Sequence, residues 1–357
     1  MLCAMTQIPA ARYFDSRDSA CSGGSGLVEE VKFLGLNKIE EGTMLVSSLE
    51  DQVRAASLMV LVAMLGVAID GYVIYAIVTQ KVFGHSFGAI TISQMVATCG
   101  NSFMFAVFVG PITIQEVSWH STYLGTRIGQ LLMIFWNASL FSHLLTAINR
   151  FVNLYFTYKY EIIFSKTVTY TTITIVWVVS IAQGIPYFWP DCSLQFDINL
   201  FTFYFNSNKC SLVIGTYLDF YLSIGIVALI ACIDFASFLR FRVLQKNGSL
   251  HLKMKDVKFF FQAWVQLMAS ITELVLYFVV APLTVNQKWI HFCLTTLAWI
   301  SVEFVDGLVV ILFNPDMRNI LAEPTLPTKI TPAPLPPLRL PSHLEKYNTR
   351  RDNTVKA

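Results

Sequence analysis

Seven stretches of the chain are apolar on every side of a helical projection: residues 56–79, 87–111, 128–156, 167–189, 212–239, 259–282 and 290–313. A hydrocarbon layer of about 30 Å takes roughly 20 helical residues to cross, and each run is long enough. Lipid-facing barrel strands would alternate polar and apolar residues; these runs do not, which favours helices. The pattern predicts an all-α membrane protein, a seven-transmembrane helix bundle over residues 55–318.

Orientation follows from Lys and Arg in the connections, which are enriched on the cytoplasmic side. Connections after spans 1, 3 and 5 carry Lys81, then Arg150, Lys159 and Lys166, then Arg240, Arg242, Lys246, Lys253, Lys255 and Lys258. Those after spans 2, 4 and 6 carry only Arg127, Lys209 and Lys288. The N-terminus is therefore expected outside and the C-terminus inside. Residues 1–54 have an acidic excess and no apolar signal-peptide core, and are expected to be a disordered extracellular segment, with span 1 as the insertion signal. Residues 319–357 are expected to form a disordered cytoplasmic tail, because eight of the thirteen prolines lie beyond Asn314.

Composition sharpens this picture. Only 13% of residues are charged, about half the usual share. Of the 48 charged residues, 24 lie in the first 54 and last 44 positions. A water-soluble enzyme is disfavoured on that distribution. A net charge of +2 offers no basic surface for nucleic acid, and seven cysteines do not make a disulfide-dense scaffold.

Carboxylates inside a bilayer are costly and mark function or helix pairing. Six fall in the spans: Asp70, Asp219, Asp234, Glu273, Glu303 and Asp306. Protonation or pairing with polar neighbours in the bundle interior is the alternative for each. Glu303 and Asp306 are three apart on one helix face, where coupled titration is possible. Asp70, Asp234, Glu303 and Asp306 form a candidate intramembrane polar switch, and Asp219 lies at a depth suited to a small ligand, with Tyr217 and Tyr221 beside it in sequence.

Catalytic motifs are absent from the sequence, and no metal or cofactor site is expected. Ser142 and His143 are adjacent on a helix and point about 100° apart, so they do not pair as nucleophile and base; His143 is better read as an interhelical hydrogen-bond donor. Span 7 has no lysine past Lys288 for a retinal Schiff base.

Cys192 and Cys210 are the only cysteines in the predicted outer loops. A disulfide there would close a loop of about 19 residues and contribute roughly 3 kcal/mol. Free thiols, or pairing with Cys3 or Cys21, are the alternatives. Cys99, Cys232 and Cys293 lie in spans and are expected to be buried small apolar residues. At the inner end of span 3, Asn149-Arg150-Phe151 places an arginine where it can pair with a carboxylate in one conformation and with an incoming protein in another.

Several blocks, in order, resemble the nematode serpentine receptor class X chemoreceptors, a divergent branch of the G-protein-coupled receptors. They are Ser86-Phe87-Gly88 with Ser93-Gln94, the Arg127 opening of span 3, Phe141-Ser142-His143-Leu144 with Asn149-Arg150-Phe151, and Pro186-Tyr187-Phe188 before Cys192. Tyr217-Leu-Asp219-Phe-Tyr221, the Phe259–Gln262 opening of span 6, and Trp299 through Asp306-Gly307 to Asn314 complete the set. The resemblance implies that Asn149-Arg150-Phe151 stands at the acidic-Arg-Tyr triplet that gates G-protein coupling, with Asn in place of the acid and no lock within the helix. It implies that Asp306-Gly307 stands where many receptors have Asn-Pro, and Asp70 where the first span commonly has Asn. The usual cysteine opening span 3 is absent, which supports the Cys192–Cys210 pairing.

The expected function is a chemosensory receptor that binds a small molecule or peptide in the outer half of the bundle and signals to a heterotrimeric G protein. A proton- or cation-coupled transporter using the carboxylates is the alternative, weakened by the absence of an internal repeat. Membrane lipid is an expected partner of the spans. In the tail, Pro334-Leu-Pro336-Pro337-Leu-Arg339 fits a ligand of SH3 domains.

Overall fold

A computed structural model describes residues 47–115, 117–205, 208–246 and 254–322. The expectations for the chain before Ser47, for Lys253 and for the Pro-rich tail with its SH3-type motif fall outside these residues.

Among the described residues, seven helices are long and apolar enough to cross a membrane: span 1 Leu49–Gln80, span 2 His85–Gln115, span 3 Tyr123–Tyr155, span 4 Lys166–Phe188, span 5 Lys209–Lys246, span 6 Phe261–Leu283 and span 7 Lys288–Phe313. Polar caps set their starts. The side chains of Ser48, Thr122, Ser165 and Asn208 accept from the backbone N–H of Asp51, Gly125, Val168 and Ser211, each worth about 1 kcal/mol. Span 1 thus begins at Leu49, ahead of the apolar run, because Ser48 caps a first turn that carries Glu50 and Asp51. A short helix, Pro315–Ala322, follows span 7, held by the Tyr72 hydroxyl donating to the Met317 carbonyl at 2.7 Å.

The bundle buries polar groups among its apolar core and turns large apolar side chains outward. Leu61, Leu65, Ile175, Val178 and Ile181 are exposed, whereas Asp70, Thr98, Asn101, Gln130, Glu303 and Asp306 are buried. That inversion suits a solvent of hydrocarbon, where internal polar groups must find partners within the protein. Trp177 donates to Ser93 Oγ at 3.0 Å, joining spans 4 and 2. Cys232 and Cys293 correct the sequence reading: both face outward, and Cys99 is half-buried. A thiol is apolar enough to sit against lipid, so position on the helix decides.

Four spans contain a widened π-helical turn: Phe105–Val109, Ile214–Tyr221, Leu276–Val280 and Cys293–Leu297. Two have a cause in sequence. Pro111 and Pro282 follow the first and third, and the wider turn relieves the clash of a proline ring with the carbonyl four residues back.

Between spans 4 and 5 lies an antiparallel hairpin, β1 Leu194–Asp197 and β2 Thr202–Phe205, with Leu194 opposite Phe205 and Asp197 opposite Thr202. It plugs one end of the bundle. Leu194, Phe196, Phe201 and Phe203 are buried in the main core. Tyr277 Oη donates to the Phe203 carbonyl at 2.8 Å, and Thr296 Oγ1 to the Phe201 carbonyl at 2.7 Å. Span 3 accepts the strand because it offers Gly129 there: a Cβ would stand 2.6 Å from the Leu194 carbonyl oxygen. The Cys192–Cys210 disulfide, with Cα atoms 5.2 Å apart, staples the base of the hairpin to span 5.

His120, in the connection between spans 2 and 3, packs its ring 4.7 Å from that of Phe196 on the hairpin, 3.2 Å from Thr113 Oγ1. Burial pulls its pKa down from 6.5 to about 4. A base whose folded pKa is depressed contributes stability that is fully present above its unfolded pKa and is lost as pH falls toward the folded value. Lowering pH from about 6.5 to about 4 is therefore expected to cost on the order of 2–3 kcal/mol through this group. Thermal inactivation in detergent should show a pH slope in that window that His120→Gln flattens. An identical slope in the variant would remove His120 as its source.

Candidate functional site

Polar and charged groups occupy three levels along the bundle axis. Under the hairpin lies a narrow cavity lined by Asp219 of span 5, Glu273 and Tyr277 of span 6, Trp136 of span 3 and Trp299 of span 7, roofed by Leu194 and Phe205. It has room for a group the size of a water molecule. Asp219 and Glu273 lie within electrostatic reach of one another. Among the described residues lining the cavity, none is Lys, Arg or His.

Tyr217 and Tyr221 do not share this cavity with Asp219. They are 63% and 44% exposed, with rings 5.8 Å apart on the outward face of span 5. Residues two apart on a helix point to nearly opposite sides, so an inward Asp219 turns both tyrosines out. The sequence grouping is corrected here: the partners of Asp219 are Glu273 and Tyr277, on another helix.

At mid-depth, spans 2, 3, 6 and 7 meet in a buried network. Asn101 Nδ2 donates to Glu303 Oε1 at 2.6 Å. His143 Nε2 stands 2.6 Å from Asp306 Oδ2, and Gln94 Nε2 is 3.5 Å from the same oxygen. Gln266 Nε2 donates to the Asp306 carbonyl at 3.4 Å. Asp70 of span 1, fully buried, lies within electrostatic reach of Asp306. Gly307 makes that approach possible: a Cβ there would come 2.2 Å from Asp70 Oδ1. The Asp306-Gly307 pair thus works as a unit, one residue supplying the acid and the next the space for a second acid.

At the end away from the hairpin, Arg150 Nη2 donates to both oxygens of Asp234 on span 5, at 3.0 and 3.1 Å. Both side chains are nearly enclosed. Asn149 does not join this pair: its Nδ2 is 3.2 Å from Tyr160 Oη, in the connection to span 4. The ring of Phe151 stacks on Tyr155 at 4.3 Å. A second narrow cavity, between spans 3, 5 and 6, is lined by His143 and Gln266 of the mid-level network and by Arg150 and Asp234. The middle and lower levels therefore face one common space.

The structure brings Asp70, Glu303 and Asp306 together and sets Asp234 apart as the partner of Arg150. Asn101, Gln94 and Gln266 escaped sequence reasoning; the signal available was an amide inside an apolar run. Chemically, the arrangement holds an arginine by one interhelical ion pair and couples its surroundings to a hydrogen-bonded core. Three carboxylates and one histidine make that core acid-rich.

The family model described as serpentine type 7TM GPCR chemoreceptor Srx matches residues 60–314. Serpentine receptor class X 45 of Caenorhabditis elegans is 24% identical over 324 residues, covering 84% of this chain and 88% of that protein. Among solved structures, squid rhodopsin is similar with a TM-score of 0.58 at 13% identity, covering 77% of this chain and 85% of that one. The last likeness concerns the fold alone.

Proposed function

Since the chain belongs to the serpentine Srx family of seven-transmembrane G-protein-coupled chemoreceptors, a multi-pass protein of the plasma membrane, we propose that it binds an environmental small molecule or peptide beneath the hairpin. Binding there shifts the bundle toward a form whose opposite end engages a heterotrimeric G protein. In this reading the hairpin end faces outside and the Arg150 end faces the cytoplasm, in keeping with the placement of Lys and Arg in the connections.

The observation that carries the proposal is the Arg150–Asp234 pair. The triplet at Asn149 lacks an acid, yet Arg150 is still held, by span 5 instead of by its own helix. A buried pair between two helices is a two-state element: it is made when they stand together and broken when they part. Breaking it frees a guanidinium at the protein's end, with donors that suit carbonyl and carboxylate groups of a partner. The ligand contributes by its differential affinity for the two states, which sets how far the equilibrium moves.

Parent and Arg150→Ala receptors, matched for surface level, are the test. Challenged with an odorant and peptide panel and read by calcium or cyclic-nucleotide signals, Arg150→Ala is expected to lose at least about tenfold in response, equivalent to ~1.4 kcal/mol. A response equal to the parent's would remove Arg150 from the coupling site.

A further inference from the structure

The cavity under the hairpin has a chemical signature that narrows what it takes. Asp219 and Glu273 are both buried, and both line the same space. Glu273 Oε2 has no hydrogen-bond partner among the described residues, although the residue is only 5% exposed. Two acids converge and, among the described residues of the lining, none is basic, so the cavity is short of positive charge. The rest of its wall is largely aromatic: Trp136, Trp299, Tyr277 and Phe278. Aromatic faces attract cations through the ring quadrupole, most strongly where water is excluded.

We propose that the cavity binds the ammonium head of a primary amine carrying an aromatic or other apolar tail, with Asp219 and Glu273 accepting from the N–H groups. Size selects the primary amine. The space admits a group like water, which an –NH3+ head matches and a trimethylammonium head exceeds. The tail lies along Phe205 and Phe278 toward the hairpin, which must yield to admit it. Trp299 Nε1, buried and without an acceptor among the described residues, suits a hydroxyl or carbonyl oxygen on the same ligand. This inference rests on the receptor reading only for where the ligand binds; the binding itself is measurable without a G protein.

The test uses the purified full-length chain in lipid nanodiscs, with 2-phenylethylamine as the probe. Its controls are 2-phenylethanol, the same shape without the charge, and the N,N,N-trimethyl derivative. Thermal stabilisation and tryptophan fluorescence are followed against concentration; two of the chain's seven tryptophans, Trp136 and Trp299, stand in the wall. Saturable binding of the primary amine is expected, at least about tenfold tighter than either control, and weakened at least about tenfold by Glu273→Gln and by Asp219→Asn. Equal binding of amine and alcohol, tighter binding of the trimethyl derivative, or no saturation by the amine in the parent protein would overturn the proposal, and the parent comparison stands even if a variant fails to fold. Failure of the receptor reading is a separate result: amine binding with no nucleotide exchange on any G protein sinks that reading and leaves this one standing. A response to neutral ligands without amine binding does the reverse.

Discussion

Receptors with both Cys192 and Cys210 replaced by serine are expected to reach the cell surface poorly and to inactivate about 5–10 °C below the parent. The disulfide closes a separation of 18 residues, worth roughly 3 kcal/mol on the chain-entropy model, and a few degrees per kcal/mol follows for a bundle of this size. What raises the effect above that of an ordinary loop is the hairpin's position. Leu194, Phe196, Phe201 and Phe203 are core residues, and the carbonyls of Phe201 and Phe203 receive hydrogen bonds from spans 7 and 6. Loosening the base of this plug exposes aromatic surface and opens the acidic cavity beneath it. Thermal inactivation of the reduced parent should match that of the double-serine variant. Parent-like stability of both would show that the plug is held by its packing alone.

The second large effect concerns the mid-depth network. His143→Ala removes the group 2.6 Å from Asp306 Oδ2 and leaves that buried oxygen only the Gln94 amide, 3.5 Å away. Leaving a buried acceptor without its hydrogen-bond donor costs about 1–3 kcal/mol, whereas replacing both partners by apolar groups of the same shape is close to neutral. Surface expression of His143→Ala is therefore expected to fall several-fold, and His143→Leu with Asp306→Leu to recover most of it while remaining silent in signalling assays. The double variant separates the two roles of the pair, since packing is restored and the polar link between spans 3 and 7 is not. Parent-level expression of the single variant would mean that Asp306 does not depend on His143. Signalling by the double variant would take the network out of transmission.

These two cases also show what a linear reading of the residues reaches. The seven spans are legible because run length against bilayer thickness is a local property of the chain. The Cys192–Cys210 pairing is legible because topology leaves few cysteines on that side. Pairings between helices are not local. Nothing near Arg150 announces Asp234, 84 positions away, and nothing near Asp219 announces Glu273. Helical periodicity alone was enough to exclude Tyr217 and Tyr221 from the side of Asp219, since positions two apart diverge by about 200°. The hairpin escaped because two strands of four residues carry too little alternation to register in a loop. Its aromatic content, Phe196, Phe201, Phe203 and Phe205, was the available sign that this loop turns inward.

In the proposed mechanism Arg150 is restrained by Asp234 and released on activation. Asp234→Asn keeps the shape of the side chain and removes the charge that holds Arg150, so it acts on the restraint and leaves the guanidinium in place. Basal nucleotide exchange on a co-reconstituted heterotrimeric G protein, at equal receptor amounts, is the direct readout. An increase of roughly 5–10-fold is expected for Asp234→Asn, equivalent to about 1–1.4 kcal/mol in the balance between states, and a decrease for Arg150→Ala. Exchange by Asp234→Asn at or below the parent's rate, in a receptor that folds and binds as the parent does, would contradict it.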